Sequence, residues 1–434
     1  MARRILIMAT ASALVAMGFV FGTVTSLALL PGGGPAKKVG EVHRLVQRYY
    51  PDDVPPERLE RAALTGMLKA VDDHSEYFTA EQWREWRPRH MEGKFDGVGV
   101  QVEPDPKTGY YLVTTPIEDS PAFQADVLPG DLILAVDGVD IKNQAFEEVV
   151  YRIRGEPGSK VTLTLSRPGK DRFDVPLVRA EVKIRAVHHK MVDAQAGIGL
   201  VRISEFTEML PDFDRAMSDL QSKGLRALVI DLRFNGGGLL SSAVEVCDRF
   251  LPSGRVVVAA EGKRPGDRRE YRTRSDADLP SNIPVVVLVN GLTASASEIV
   301  AGALRDHGRA VLVGSRTYGK GTVQTPFDLS DGSHLKLTTA RWVTPNGVRV
   351  GPKDANSPGG LVPDYVVEMT REEETALLKK WWSERVVKGP PPPVEPVKDF
   401  PLEAGLEIVR AKLADRPASV TPREVAKIPT PEPK

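Results

Sequence analysis

The 434-residue sequence contains one cysteine, Cys247, and no net formal charge, with 58 Lys plus Arg balanced by 58 Asp plus Glu. A single cysteine excludes an intrachain disulfide and any multi-cysteine metal or iron–sulfur site. Balanced charge offers no general polyanion-binding surface, so nucleic acid is not expected as a partner. The chain has no internal repeat of solenoid period, no G-x-S-x-G nucleophile elbow and no H-E-x-x-H zinc motif. It has enough apolar material for a sizeable core, 41% hydrophobic against 27% charged residues. Its length allows two or three domains at roughly 150 residues each.

One long hydrophobic run exists, and it is terminal. Arg3 and Arg4 precede an uncharged stretch from Ile5 to Leu30, and the next charges are Lys37 and Lys38. The run exceeds the roughly 20 residues a helix needs to span a bilayer. Its positive start favours a cytoplasmic N-terminus with the body exported. Residues 1–36 are therefore expected to be a signal anchor or signal peptide with a Pro-Gly linker. The run is longer than a usual signal core and shows no decisive small-residue cleavage site. The expected location is extracytoplasmic, on the periplasmic side, either anchored to the inner membrane or released after cleavage.

Residues 37–92 carry apolar positions at helical spacing, such as Val42, Leu45, Val46 and Tyr49, then Leu59, Ala62, Ala63 and Met67. Thr79 followed by Gln82 offers an N-cap for a later helix. Residues 93–180 alternate short β-type runs, Tyr111–Thr114, Leu132–Val136 and Val161–Leu165, with turn signals such as Pro129-Gly130-Asp131. A domain of this size with an exposed strand edge could bind peptide, or simply be a β-domain. Residues 181–370 read as longer strand–helix alternation, with a nearly continuous apolar strand at Pro284–Asn290 of the kind buried on both faces. Residues 371–434 read as a C-terminal helical segment, including a stretch from Leu402 to Leu413, and a proline-rich polar tail, and that tail reads as peripheral. The fold class is α/β, a mixed α+β multidomain chain.

Three local patterns carry candidate chemistry. Ser295 and Ser297 lie where an apolar strand gives way to a helix, in Thr293-Ala294-Ser295-Ala296-Ser297-Glu298. A serine there is either exposed where helix N–H groups favour developing negative charge, or a simple cap with Glu298 in the first turn. Gly314 to Gly321 approaches the phosphate-binding pattern G-x-x-x-x-G-K-[ST], but Gly321 replaces the metal-binding hydroxyl and Thr322–Phe327 reads as a strand where a helix is required. Lys320, between two glycines, can be a desolvated general base or an exposed turn lysine. Asn235-Gly236-Gly237-Gly238 permits converging N–H groups, yet such turns are common in α/β domains. His307 and His334, with Asp231 or Asp306, keep a Ser-His-Asp arrangement open. Cys247 lies in an apolar helix and reads as core.

Taken together these segments resemble the carboxyl-terminal processing, or tail-specific, serine peptidases. Phe95-Asp96-Gly97-Val98-Gly99-Val100 and Ser120-Pro121-Ala122 through Gly138 resemble their inserted PDZ domain. Ser295-Ala296-Ser297-Glu298-Ile299 resembles the nucleophile region, Tyr318-Gly319-Lys320-Gly321-Thr322-Val323-Gln324 the lysine region, and Asp231-Leu232-Arg233 through Gly238 the oxyanion loop. The resemblance implies a protease core with an inserted PDZ-like domain and a helical N-terminal region. It implies Ser295 as nucleophile, Lys320 as general base and Gln324 orienting the lysine. Gly237 and Ala296 N–H groups would form the oxyanion hole, with Gly238 a neighbour, and Gly97, Val98 and Gly99 would bind the substrate C-terminus. No metal or other cofactor is implied. Implied partners are unfolded or C-terminally exposed proteins, a second copy through the N-terminal helices, and a regulatory adaptor. The family's loop often has proline where Gly236 stands. A noncatalytic peptide-binding adaptor and a nucleotide-dependent enzyme are the competing readings.

Overall fold

The computed structural model describes residues 34–167, 169–264, 266–352, 359–385 and 396–424. The hydrophobic run 5–30, most of the proline-rich patch 390–396 and the end of the polar tail lie outside the described residues. Among the described residues, no helix is long and apolar enough to cross a membrane.

The chain divides into two compact units, 1–73 and 74–434. The first contains the helices Pro35–Tyr49 and Pro56–Lys69, each opened by a proline at its first turn, where the missing N–H costs nothing. Val39, Val42, Leu45 and Tyr49 recur at helical spacing, yet all four side chains are exposed. The apolar stripe read from the sequence therefore exists but is not covered within this unit.

The larger unit begins with the strand Glu76–Phe78 and the helix Ala80–Arg87, capped as its sequence predicts. Gln82 N–H donates to Thr79 Oγ1 (3.2 Å), and Thr79 N–H donates back to Gln82 Oε1 (3.1 Å). A π-helical turn, Pro88–Glu92, then leads into the β-domain. That domain is a sheet ordered Val100–Pro104, Tyr111–Pro116, Leu132–Val136, Lys160–Arg167, Lys170–Val178, with Val139–Asp140 on the third strand. Among the described residues Val100–Pro104 has one neighbour and forms an open edge. The helix Phe146–Ile153 buries Val149 and Ile153 in the same core as Val98, Ile133 and Leu163.

The core of the larger unit is a six-stranded sheet in the order Val187–Asp193, Ile198–Ile203, Ala227–Asp231, Val285–Val289, Val311–Gly314, Tyr365–Val366. The first pair is antiparallel and the rest are parallel. The unbroken apolar runs of the central strands have a direct cause, because alternate side chains enter two different cores. Leu228, Ile230, Val285, Val287 and Val289 pack with the helices Leu210–Ser222, Leu240–Asp248 and Ala296–Asp306. Val229, Val286 and Leu288 face the helix Phe400–Leu413. Parallel strands covered on both faces show continuous hydrophobicity in place of alternation.

This last packing seats the helical stretch read at Leu402–Leu413 against the sheet. Ile408, Val409 and Ala411 are fully buried, and a side chain at Gly405 would press on Val286 and Leu288 at 3.1–3.2 Å, so glycine lets the helix sit close to the sheet. A second sheet joins Glu76–Phe78, His334–Val343, Val256–Glu261 and Arg268–Arg272, with Thr322–Asp328 paired along His334–Val343. The strand after Gly321 is incompatible with a phosphate-binding loop, which needs a helix there.

Candidate active site

Two loops leave the carboxyl ends of adjacent parallel strands, the position where open α/β sheets place ligand sites. One runs from Asp231 through Gly238, the other from Asn290 to Ser295. Ser295 caps the helix Ala296–Asp306 with φ +55° and ψ −117°. A non-glycine residue in such a conformation costs on the order of 1–3 kcal/mol and persists only where its surroundings hold it. The turn is thus a strained strand-to-helix elbow, although the sequence has no elbow motif.

Several contacts hold it. Thr293 Oγ1 donates to Leu232 O at 2.9 Å, and Ala294 N–H and Ser297 Oγ both donate to Asn235 O at 3.0 Å. Ser297 is therefore spent on the glycine loop and does not cap the helix. A Cβ at Gly237, φ +104°, would lie 2.7 Å from Ser295 Cβ and 3.0 Å from Ala296 N, so only glycine lets the two loops meet. The three residues that the sequence proposes for this place, Ser295, Ala296 and Gly237, converge.

The main chain at Lys320 is tied to the Ser295 turn through Glu298. This buried carboxylate accepts from Ser295 N–H (2.8 Å) and Lys320 N–H (2.9 Å) on Oε2, and from Thr317 Oγ1 (2.6 Å) and Gly319 N–H (2.8 Å) on Oε1. A carboxylate has about four lone-pair sites, and all four are taken. Burial pushes the Glu298 carboxyl above its ordinary range, and these four bonds oppose that push without cancelling it. In the sequence Glu298 reads as a first-turn acid within the Ser295–Ile299 segment; the signal for its larger role is a helix-capping acid three residues after a candidate nucleophile.

The glycines beside Lys320 are explained by close backbone approach. A Cβ at Gly319 would meet Gly360 N at 2.7 Å, and one at Gly321 would meet Gly351 N at 2.5 Å. Lys320 is half-buried, and Trp342 Nε1 donates to its carbonyl at 2.9 Å. Gln324 follows on the strand Thr322–Asp328, where the register slips between Val323 and Gln324. Such a bulge re-aims a side chain. Gln324 Nε2 donates to Thr322 Oγ1 (2.9 Å) and Thr338 Oγ1 (3.2 Å).

The two loops and the lysine strand lie inside a segment that matches a known protein family. The sequence profile of peptidase family S41 matches residues 197–367, and a PDZ domain profile matches residues 112–167. A carboxy-terminal-processing protease of Bartonella bacilliformis is 38% identical over 346 residues, 78% of this chain and 76% of that protein. The chain belongs to the carboxy-terminal-processing proteases. It is a serine-type peptidase of family S41 carrying a PDZ domain. A CtpA-like serine protease of Staphylococcus aureus is 34% identical across 76% of this chain, which spans 64% of that longer relative. A solved S41 protease from Bacteroides fragilis shares the fold with a TM-score of 0.52 at 19% identity, covering 88% of this chain and 99% of its own.

In this protease one expectation meets a modified geometry. Gly237 N–H, expected to be an oxyanion donor, donates to Asn235 Oδ1 at 2.9 Å. Asn235 is fully buried and held in turn by its Nδ2 bond to Ile203 O at 2.9 Å. Ala296 N–H has no hydrogen-bond partner among the described residues. The histidine alternative finds no support in contacts: His307 Nε2 lies 2.8 Å from Val256 O, His334 pairs with Asp328, and Asp231 is engaged by Arg202 and Arg233. Cys247 is buried, which pushes its thiol far above the ordinary range and leaves it a core residue.

In the PDZ domain, Gly99 has φ +77° and stands where a Cβ would overlap Ser120 Cβ at 2.1 Å. Val98 O accepts from Ala122 N–H, and Gly99 O from Ile117 N–H and Ser120 Oγ. Gly97 pairs with Ala180, whereas the Val98 and Gly99 N–H groups have no partner among the described residues. They lie immediately before the open edge strand Val100–Pro104.

Proposed function

We propose that the protease cleaves proteins whose C-termini its PDZ domain captures, with Ser295 as nucleophile and Lys320 as general base. The observation that carries this reading is the single Glu298 oxygen shared by the Ser295 and Lys320 amides. The neutral lysine amine takes the Ser295 hydroxyl proton as Oγ attacks the scissile carbonyl, and the resulting ammonium protonates the leaving amine. Water, deprotonated by the lysine, then hydrolyses the acyl-enzyme and restores both groups. Gln324 orients the lysine: its amide hydrogens are directed to two threonines, which leaves Oε1 as the acceptor. Ala296 and Gly237 N–H groups receive the oxyanion, and Gly237 exchanges its Asn235 acceptor for the substrate oxygen.

The PDZ domain receives the terminal carboxylate at the Val98 and Gly99 N–H groups, beside Gly97, and adds the peptide to the Val100–Pro104 edge. The exposed Val39, Val42, Leu45 and Tyr49 stripe receives a second copy of the chain or a regulatory adaptor. The uncharged run 5–30 supports a body outside the cytoplasm, on the periplasmic side, with the membrane as anchor or signal cleavage as release.

The test is cleavage of an unfolded protein with an apolar C-terminus, without added metal or nucleotide, beside Ser295→Ala and Lys320→Ala. Cleavage lost in both variants with peptide binding retained is the expected result. A wild type that binds and never cuts favours the adaptor reading.

A further inference from the structure

We infer that the C-terminal helices position the oxyanion loop, with Trp381, Glu374 and Asp399 acting as positioning residues for the turns that carry Gly237 and Ser295. The inference rests on the proposed roles of those two turns. None of the three residues lies in the segments matched as protease or PDZ domain, which end at residue 367.

Asp399 and Trp381 grip the loop just before its glycines, and Glu374 reaches it through Asn290. Arg233 is almost fully buried and forms two forks, Nε and Nη2 to Asp231 (2.9 and 2.8 Å) and Nη1 and Nη2 to Asp399 (2.6 and 2.9 Å). A guanidinium offers five N–H donors in a fixed plane, so a double fork fixes both position and rotation of the side chain. Asp399 also caps the helix Phe400–Leu413 through Leu402 N–H. The next residue, Phe234, has φ +62°, a conformation that bulky residues rarely adopt. Its ring stands edge-on to Trp381, with centroids 5.4 Å apart at 83°. Trp381 is itself held under the Arg202 guanidinium, 3.2 Å from the ring centroid.

Glu374 acts through Asn290. Its Oε1 accepts from Asn290 Nδ2 at 2.9 Å, which turns Asn290 Oδ1 toward Phe234 N–H (2.9 Å) and Leu292 N–H (3.2 Å). One amide therefore ties the glycine loop to the turn before Ser295, and the C-terminal helix Arg371–Arg385 decides which way that amide faces. Without Trp381, Phe234 can relax to negative φ, and the chain after it loses the direction that brings Gly237 against Ser295. The PDZ carboxylate site lies on another domain and is not part of this contact set.

The experiment measures kcat and KM on a peptide with a PDZ-binding C-terminus, together with thermal unfolding, for the full chain and for Trp381→Ala, Trp381→Phe, Glu374→Ala and Glu374→Gln. Displacing a reacting geometry by about 1 Å costs about 100-fold in rate. Trp381→Ala is expected to lower kcat about 100-fold with KM within about threefold, and Trp381→Phe, which keeps an aromatic face, recovers most of it. Glu374→Ala lowers kcat about tenfold, and Glu374→Gln, which keeps an acceptor oxygen, restores it. Should Trp381→Ala fail to fold, the Glu374 pair decides. A folded Trp381→Ala or Glu374→Ala enzyme with wild-type kcat overturns the inference, as does a loss that the conservative variants do not rescue. Ser295→Ala in the same series separates the levels. Ser295-dependent cleavage that ignores Trp381 and Glu374 sinks only this inference, whereas cleavage that survives in Ser295→Ala sinks the catalytic reading with it.

Discussion

Two buried carboxylates, Asp231 at the end of a central strand and Glu298 in the first turn of the helix after its neighbour, are held in opposite ways. Asp231 faces the guanidiniums of Arg233 and Arg202, at 2.8 and 3.4 Å. Burial pushes its carboxyl up, but the two arginines win and hold it below the ordinary range. Glu298 accepts three backbone N–H groups and one hydroxyl, and burial wins there. Charge pairing at Asp231 secures the joint between sheet and C-terminal segment. Neutral donors at Glu298 set the spacing of two main-chain segments.

Removing Glu298 should give the largest effect. Glu298→Ala leaves three buried N–H groups and a hydroxyl without their acceptor, each costing about 1–3 kcal/mol, and frees the Ser295 strain. Cleavage is expected to fall at least about 1,000-fold, and Glu298→Gln about 100-fold because one acceptor oxygen becomes a donor. Peptide binding to the PDZ domain, read by anisotropy, should stay unchanged. Asp231→Asn comes next, and its cost is stability: Arg233 keeps Asp399 but loses the charge of its other fork, so the about 3–5 kcal/mol of a buried charge stripped of every partner is the upper bound, visible in urea unfolding.

Acid should then separate the two sites by sign. The depressed Asp231 pKa supplies stability that is present above its unfolded pKa, about 3.9, and lost as pH falls through the native value. The raised Glu298 pKa supplies stability that is full below its unfolded value, about 4.3, and lost as pH rises through the native value. Unfolding measured from about pH 7 to pH 3 should therefore show the Asp231→Asn deficit shrinking and the Glu298→Gln deficit growing as acid is added. Parallel trends would contradict the assignment.

The smallest expected effect lies in the loop between the two carboxylates. A Cβ at Gly236 meets nothing within 4 Å, and its φ is not positive. Gly236→Ala should be tolerated and stabilise by about 0.4–1 kcal/mol through the unfolded chain, with wild-type cleavage. At Gly237 the same substitution should abolish cleavage, because its Cβ collides with Ser295.

The sheet was legible because its strands are uninterrupted apolar runs and its helices keep helical spacing. Val285–Val289 and Leu132–Val136 fall where the sequence places them. Ser295, Lys320 and the glycine loop were legible as candidate motifs that gain meaning together. What stayed hidden depends on partners far apart in sequence. Glu298 and Lys320 are 22 residues apart, and Arg233 and Asp399 are 166 apart. The bond from Gly237 to Asn235 is local, but whether that amide faces a side chain or a substrate is a matter of backbone dihedrals that no motif states. The part played by the C-terminal segment is not legible because its first helix opens on three glutamates and lacks a broad apolar stripe. Its role is carried by single residues, Glu374 and Trp381, and by the face of the last helix.

The central claim is that Ser295 forms the covalent bond and Lys320 takes its proton. The direct measurement is intact-mass and peptide-level mapping of a serine-reactive phosphonate probe on wild type and Lys320→Ala. A single adduct on Ser295, formed far more slowly without Lys320, is the predicted result. An adduct on another residue, or equal labelling of Ser295 without the lysine, would contradict it.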